Sequence, residues 1–146
     1  MGELMQKRVG ITCSTFDLLH SGHVMMLRDA KTVCDYLICA LQNDPSVDRP
    51  NKNQPIQNIV ERQAQLSAIR YVDEILVYNT EEELMDILGM YQIDVKIMGE
   101  EYRDKDFTGR DLCKQRDIDF YFNKRDHRFS SSDLRKRVVE NTLQTD

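Results

Sequence analysis

The sequence predicts an α/β fold, a parallel five-stranded sheet with helices on both faces. Short apolar segments rich in β-branched residues alternate along the chain with segments whose apolar residues have helical spacing. The segment 35–41 is a continuous apolar run, which is typical of a strand that is covered on both faces. Such alternation is typical of parallel sheets, because right-handed crossovers place the connecting helices on both faces.

The first elements can be justified one by one. Residues 7–13, KRVGITC, are short and rich in β-branched residues, which predicts the first strand. Apolar residues at helical spacing predict a helix over 21–33, and the second strand follows at 35–41. Residues 42–55 hold three prolines and three asparagines without apolar periodicity. They predict a long polar loop, and long loops in compact domains are usually functional or disordered.

The second half of the chain continues the alternation. Helical spacing resumes over 56–70, and EILVY at 74–78 predicts the third strand. Thr80 and three glutamates open the next helix, over 80–90, since acids favour the positive end of a helix dipole. The remaining predictions are strands at 95–99 and 118–122, a short helix within 107–116, and a last helix that follows Ser130–Ser132 and runs through Leu134 and Val138. No linker interrupts this order, so residues 1–146 are predicted to form a single domain.

Composition excludes several classes of protein. The net charge is −5 and the pI is about 5.2, which argues against a nucleic-acid binder. No apolar stretch approaches the roughly 20 residues that span a bilayer, and no signal peptide is evident, so no membrane association and a cytoplasmic location are expected. The four cysteines form no C-x-x-C pair. Reduced, mostly buried thiols are therefore expected, and no protein-held metal.

The layout also predicts where a ligand binds. In open parallel sheets, ligands bind beyond the carboxyl ends of the strands, near the point where the strand order reverses. The loops at that edge are 14–23, 42–55, 99–107 and 123–131. They hold the histidines, a lysine, an acidic segment and a segment rich in arginine and serine, so these groups are expected to meet at one site.

The stretch STFDLLHSGH, residues 14–23, carries the most specific signal. A helix that begins near Ser21 or Gly22 attracts phosphate through its first amides and its partial positive charge. Gly22 lets a phosphate approach the backbone closely. His20 and His23 can each donate a hydrogen bond to a phosphoryl oxygen, and near neutral pH they can also carry charge. This pattern directly after a strand predicts a phosphate site.

The segment T-F-D-L-L-H-x-G-H resembles the HxGH nucleotidyltransferase superfamily, in particular the small cytidylyltransferases typified by glycerol-3-phosphate cytidylyltransferase. Three further segments resemble that family in the same order: ERQAQLSAIRYVDEI (61–75), IMGEEY (97–102) and RDHRFSSSDL (125–134). The chain departs from the family at Ser14, where glycine is common, and at Glu100–Tyr102, where the family has D-D-W. The resemblance implies a Rossmann-like fold, a homodimer and a small phosphorylated alcohol as the second substrate.

The resemblance also implies roles for particular residues. The catalytic set would be His20, His23, Lys52 and Arg125, which bind and neutralise the reacting phosphates. The backbones of Thr15 and Phe16 would lie against the nucleotide phosphates. Arg62 is judged equally suited to a functional role and to an ordinary place on a helix. The implied nucleotide-binding set is Thr15, Phe16, His20, Gly22, His23, Lys52, Arg70, Glu100, Arg125, Ser130 and Ser131.

The reaction implied is direct displacement at the α-phosphate of a nucleoside triphosphate, with pyrophosphate leaving. Mg²⁺ is expected, bound mainly through the nucleotide phosphates, with Asp17 or Glu100 as possible contacts. CTP and glycerol 3-phosphate, giving CDP-glycerol, are the first prediction. The alternatives are adenylyl transfer to a heptose 1-phosphate, adenylyl transfer to FMN, and a non-catalytic nucleotide-binding module.

Overall fold

The computed structural model describes residues 7–124 and 129–144. One five-stranded sheet has the order β3-β2-β1-β4-β5, and every neighbouring pair of strands is parallel. The strands are β1 (Val9–Ser14), β2 (Tyr36–Gln42), β3 (Glu74–Tyr78), β4 (Val95–Gly99) and β5 (Asp119–Asn123). The order reverses between β1 and β4, so the predicted Rossmann-like α/β fold is confirmed, and a ligand is expected beyond these two strands.

The helices follow the predicted segments, the first four with shorter bounds and the last extending further, to Gln144. They are α1 (Ser21–Ala30), α2 (Ile59–Ser67), α3 (Glu81–Met90), α4 (Arg110–Gln115) and α5 (Ser131–Gln144), and a 3₁₀ turn covers Glu100–Asp104. The helix predicted at 56–70 begins later because the Asn58 side chain caps it, accepting from the Glu61 amide at 2.8 Å. No helix within the described residues is long and apolar enough to cross a membrane.

Two apolar layers cover the sheet, one on each face. One layer joins the sheet to α1 and α2 around Phe16, Leu27 and Leu66. The other joins it to α3 and α4 around Ile11, Leu88 and Cys113. The residues of β2 are almost all buried, as the apolar run at 35–41 predicted, because its successive side chains enter the two layers alternately.

The amino edge of the sheet is fastened by carboxylates. Asp35, Asp73 and Asp94 each precede a strand, and each accepts a 2.8 Å hydrogen bond from a backbone amide at the start of a neighbouring strand. The donating amides are those of Arg8, Leu37 and Val9, respectively. This edge therefore uses its charged side chains to fix the register of the sheet.

Candidate functional site

A cavity of about 1000 Å³ opens at the carboxyl edge of the sheet. Residues from the ends of all five strands line it, together with residues of the four loops that the sequence predicted to meet there. The lining residues predicted as site residues are Thr15, His20, Gly22, His23, Lys52, Glu100, Ser130 and Ser131. The position of the cavity agrees with the rule for open parallel sheets.

The two histidines cap the start of α1 for each other. His20 is the N-cap residue, and its Nδ1 accepts from the Gly22 amide at 3.0 Å. His23 stands three residues on, and its Nδ1 accepts from the His20 amide at 3.2 Å. The ring centroids lie 4.1 Å apart. This reciprocal arrangement is a capping box in which imidazoles replace the usual hydroxyl and carboxylate.

These bonds determine what the imidazoles can offer a ligand. Since each Nδ1 accepts from an amide, the proton of each neutral ring is assigned to Nε2, which is a donor. The first amides of α1 are therefore not all available to a phosphate, because the Gly22 amide already donates to His20. Phosphate at this helix end would therefore meet side-chain N–H groups as well as backbone.

A charge on His23 near neutral pH is not favoured by its surroundings. Burial, the largest cause, and repulsion by a protonated His20 together lower the pKa of His23 to about 4, against the opposing effect of Asp17. His23 is thus a neutral hydrogen-bond donor at pH 7. A neutral N–H donor can stabilise negative charge that develops on a phosphoryl oxygen while its own protonation state stays unchanged.

The start of α5 lies beside this turn. Ser130 Oγ accepts from the Asp133 amide at 3.0 Å, so Ser130 caps the helix. Ser131 Oγ donates to the Asp17 carbonyl at 3.3 Å and thereby ties α5 to the β1–α1 loop. Arg135, one turn further along α5, also lines the cavity and was not predicted.

The turn between β1 and α1 is strained and is held from outside. Phe16 and Leu18 have φ values of 48° and 50°, in the left-handed region that side chains disfavour. Asp17 accepts from the amides of Ile56 and Gln57 at 2.8 and 2.9 Å, and so fastens the turn to the long loop. Both carboxylate oxygens of Asp17 are used in this way.

Arg62 is the largest fully buried side chain in the described part of the chain. It is 2% exposed, and its guanidinium donates to four backbone carbonyls that belong to the loops around the cavity. The accepting residues are Thr15, Gln42, Asn43 and Gln57. The sequence left the role of Arg62 open; the structure shows that it holds the β1–α1 loop and both ends of the β2–α2 connection together.

Three buried polar residues in the strands were missed. Gln42 and Asn123 are the last residues of β2 and β5, and each is buried with one side-chain atom that lacks a partner: Nε2 of Gln42 and Oδ1 of Asn123. Lys96 in β4 is 5% exposed, and its ammonium lies 4.7 Å from the centroid of the Phe107 ring. All three residues line the cavity. The signal that could have found them is a polar side chain inside an apolar strand.

Three predicted residues are not at the cavity, or cannot be placed. The prediction that Arg70 lies at the site is wrong. This residue precedes β3, at the opposite edge of the sheet, where its guanidinium lies 5.0 Å from the centroid of the Tyr71 ring. Phe16 is 1% exposed, and its amide donates to Ser14 Oγ at 3.2 Å, so Thr15 lines the cavity and Phe16 does not. Arg125 lies outside the described residues.

The described residues contain no group of three or more His, Cys, Asp or Glu placed to hold a metal ion. Glu100 lines the cavity and is exposed, whereas the oxygens of Asp17 are taken by amides. Cys34, Cys39 and Cys113 are buried free thiols, as expected. Cys13 lines the cavity, but burial raises its pKa to about 11, so it is an unreactive thiol at neutral pH.

A sequence model of the family described as cytidylyltransferase-like matches residues 11–137. Curated relatives include the bifunctional protein HldE of Gluconacetobacter diazotrophicus, 35% identical over 109 residues, and HldE of Campylobacter concisus, 32% identical over 137 residues. The alignments cover 74% and 92% of this chain but only 22% and 28% of those proteins. The chain thus corresponds to about a quarter of the curated relatives that it matches.

Solved structures share the fold. A lipopolysaccharide core biosynthesis protein from Thermoplasma volcanium superimposes with a TM-score of 0.67 at 24% identity, covering 83% of this chain and 100% of that one. A pantoate-beta-alanine ligase from Francisella tularensis gives 0.53 at 14% identity, covering 99% of this chain and 74% of that one. At these identities the similarity establishes the architecture, and the chemistry must be argued from the site.

Proposed function

The chain belongs to the cytidylyltransferase-like family, and from that premise we propose that it transfers a nucleotidyl group from a nucleoside triphosphate to a sugar phosphate. The observation that supports this most is the His20–His23 capping box. Both histidines line the cavity at the start of α1, beside the serines of α5, and the proton of each neutral ring is assigned to Nε2. Such a cluster of donors suits a transition state in which negative charge develops on phosphoryl oxygens.

Adenylyl transfer from ATP to a heptose 1-phosphate is the proposed reaction. The similarity to HldE proteins favours this alternative over formation of CDP-glycerol, which was the first prediction. Enzymes of both kinds use direct displacement, so the choice of substrates does not alter the role of the histidines. CTP with glycerol 3-phosphate is the competing pair in the experiment below.

The mechanism needs no covalent intermediate. An oxygen of the acceptor phosphate attacks the α-phosphorus, the bond to the bridging oxygen of the β-phosphate breaks, and pyrophosphate leaves with that electron pair. His20 and His23 would donate from Nε2 to oxygens of the α-phosphate. Lys52 is exposed at the cavity rim and would neutralise charge between acceptor and nucleotide. Ser130 and Ser131 would bind the leaving phosphates.

Positioning would supply much of the catalysis, because the acceptor phosphate is already ionised at neutral pH and needs no general base. The site must therefore hold its loops in one arrangement. Arg62 and Asp17 do this from beneath, through backbone groups of the β1–α1 loop and the long loop. Neither is proposed to touch the substrates.

Mg²⁺ would neutralise the triphosphate and favour departure of pyrophosphate. The donor set fits an ion held mostly by phosphate oxygens, since Glu100 is an exposed carboxylate at the cavity wall and Asp17 is already bonded. We also propose, from the family resemblance, that the chain forms a homodimer. Light scattering of the purified chain tests this.

Pyrophosphate release tests the proposal. The purified chain is assayed with Mg²⁺ over a grid of ATP and CTP against heptose 1-phosphate, glycerol 3-phosphate and FMN. Release with ATP and heptose 1-phosphate is the expected result. Release with CTP and glycerol 3-phosphate keeps the mechanism and overturns the substrates. Nucleotide binding without release for any pair overturns the enzymatic proposal in favour of a binding module.

A further inference from the structure

The end of β2 carries a cluster of polar side chains, Gln42, Arg49 and Glu81, here called the β2 donor cluster. Gln42 is 2% exposed. Its Oε1 accepts from Arg49 Nη2 at 2.8 Å and from the Tyr78 hydroxyl at 3.5 Å. Two donors on one oxygen fix the orientation of the amide, so the remaining atom, Nε2, is a donor. That donor is buried and has no partner.

Arg49 has the same property. Its Nη2 also contacts Glu81 Oε1 at 2.9 Å, while its Nε is buried without a partner. Leaving buried donors unpaired costs free energy, and native proteins rarely do so without a reason. Two such donors on side chains that are bonded to each other, both lining one cavity, indicate a ligand that supplies acceptor atoms there.

The charges of the cluster limit the chemistry of that ligand. Glu81 offsets the charge of Arg49, and Gln42 is neutral, so the cluster has little net charge to attract a phosphate. It offers N–H donors beside a carboxylate oxygen. Hydroxyl groups match this arrangement, because each can accept from an N–H group and donate to a carboxylate.

The position of the cluster separates it from the phosphate site. Apart from Lys52, the phosphate-binding groups proposed above belong to the starts of α1 and α5, whereas the cluster lies at the end of β2 and the start of α3. Lys52 follows Arg49 in the same loop, and its amide donates to the Arg49 carbonyl. An acceptor with its phosphate near Lys52 can therefore extend its body towards Gln42.

We propose that Gln42 and Arg49, held by Glu81, bind hydroxyl groups on the sugar body of the acceptor and so determine which sugar phosphate the site accepts. This rests on the proposed function, which it extends from the reacting phosphate to the choice of acceptor. The nucleotide then occupies the other side of the cavity, towards β5.

Gln42→Glu is the sharpest test. Glutamate keeps an oxygen for Arg49 and Tyr78 but replaces the Nε2 donor by an acceptor, so the contacts seen in the structure survive. We expect the KM for heptose 1-phosphate to rise about tenfold, and the KM for ATP to stay within twofold. Gln63→Glu, the same exchange on the exposed face of α2, is the matched control and should change neither constant.

A binding measurement gives a result even if no turnover is found. Calorimetry with a non-hydrolysable ATP analogue present compares heptose 1-phosphate with inorganic phosphate. Gln42→Glu should weaken the binding of heptose 1-phosphate about tenfold and leave the binding of inorganic phosphate unchanged. Arg49→Lys, which keeps the charge facing Glu81 but loses the Nε donor, should act in the same direction, and melting curves verify that both variants fold.

The outcomes separate this inference from the proposed function. If the variants weakened the binding of inorganic phosphate as much as that of heptose 1-phosphate, the phosphate would lie at the cluster and the inference would be overturned. A change confined to the binding of the ATP analogue would also overturn it. Unchanged constants for both variants would also overturn it. Absence of pyrophosphate release from the wild type, with sugar-specific weakening in the variants, would overturn the proposed function alone.

Discussion

The two edges of the sheet use polar side chains in different ways. At the amino edge, three carboxylates each accept a hydrogen bond from a backbone amide of a neighbouring strand; they are those of Asp35, Asp73 and Asp94. At the carboxyl edge, Gln42, Arg49 and Asn123 each keep one buried side-chain atom without a partner. Within residues 7–124 and 129–144, every buried side-chain atom without a partner belongs to a residue that lines the cavity.

The difference shows how the chain divides stability and function. Paired carboxylates at the amino edge fix the strand register, which the fold needs whether or not a ligand is present. Unpaired groups at the carboxyl edge lower stability until a ligand supplies partners, so their presence marks a binding site. Substitutions at one edge should therefore affect stability, and substitutions at the other should affect turnover.

The largest effect is expected from His20→Asn and His23→Asn. Asparagine can accept hydrogen bonds from the same backbone amides and is a good N-cap residue, so α1 should still begin at the same residue. The Nε2–H donor is lost, and kcat should fall by roughly 10²–10⁴-fold while the melting temperature barely changes. His20→Ala should lose the same turnover and, in addition, about 1 kcal/mol of stability. Wild-type kcat in either asparagine variant would contradict the role given to the imidazoles.

Arg62→Lys should affect both stability and turnover, because Arg62 is buried at the carboxyl edge yet bonds only to carbonyls. Lysine cannot reach all four carbonyls, and each one left unpaired costs on the order of 1 kcal/mol, so unfolding should require about 2–4 kcal/mol less. Loosened loops should also lower kcat. Chemical denaturation measures the first effect, and Arg137→Lys in the exposed α5 ion pair is the control, with a change within about 0.5 kcal/mol. An unaltered denaturation midpoint for Arg62→Lys would refute the claim that Arg62 holds the loops around the cavity in place.

Asp73→Ala tests the amino edge. The variant leaves the Leu37 amide without its acceptor and removes the ion pair with Lys31, so we expect a loss of about 1–2 kcal/mol of unfolding free energy. The kcat/KM should stay within twofold, because this edge is remote from the cavity. Asp86→Ala on the exposed face of α3 is the matched control. A fall in kcat/KM without a loss of stability would reverse the roles given to the two edges.

The pH dependence of stability tests the protonation state of His23 in the folded protein. Burial, the largest cause, and the charge of His20 lower the pKa of His23 from 6.5 to about 4 in the folded state. The unfolded chain binds this proton near pH 6.5 and the folded chain does not, so stability falls as the pH drops from about 6.5 to about 4. The contribution is at most about 1.4 kcal/mol per pH unit. The stability of His23→Asn, measured over the same range, should lack this component; identical pH curves would mean that His23 is charged in the folded protein.

Much of the fold was predictable because it depends on local pattern. The β-branched segments and helical spacings predicted all five strands and all five helices, and the parallel-sheet layout predicted which loops meet. Arg70 was placed wrongly because a position in a motif does not show at which edge of the sheet a residue lies. Arg62 was left open because its acceptors come from segments up to 47 residues away.

The sequence by itself determined the α/β architecture, the carboxyl edge as the binding edge and the histidine pair at the start of α1. All three follow from the spacing of residues close together in the sequence, which does not depend on contacts between distant segments. Only the tertiary structure decided that the imidazoles cap each other through Nδ1, that His23 is neutral, and that Gln42 and Arg49 keep unpaired donors. Those properties depend on burial and on hydrogen bonds between distant segments, and neither exists until the loops are packed around the cavity.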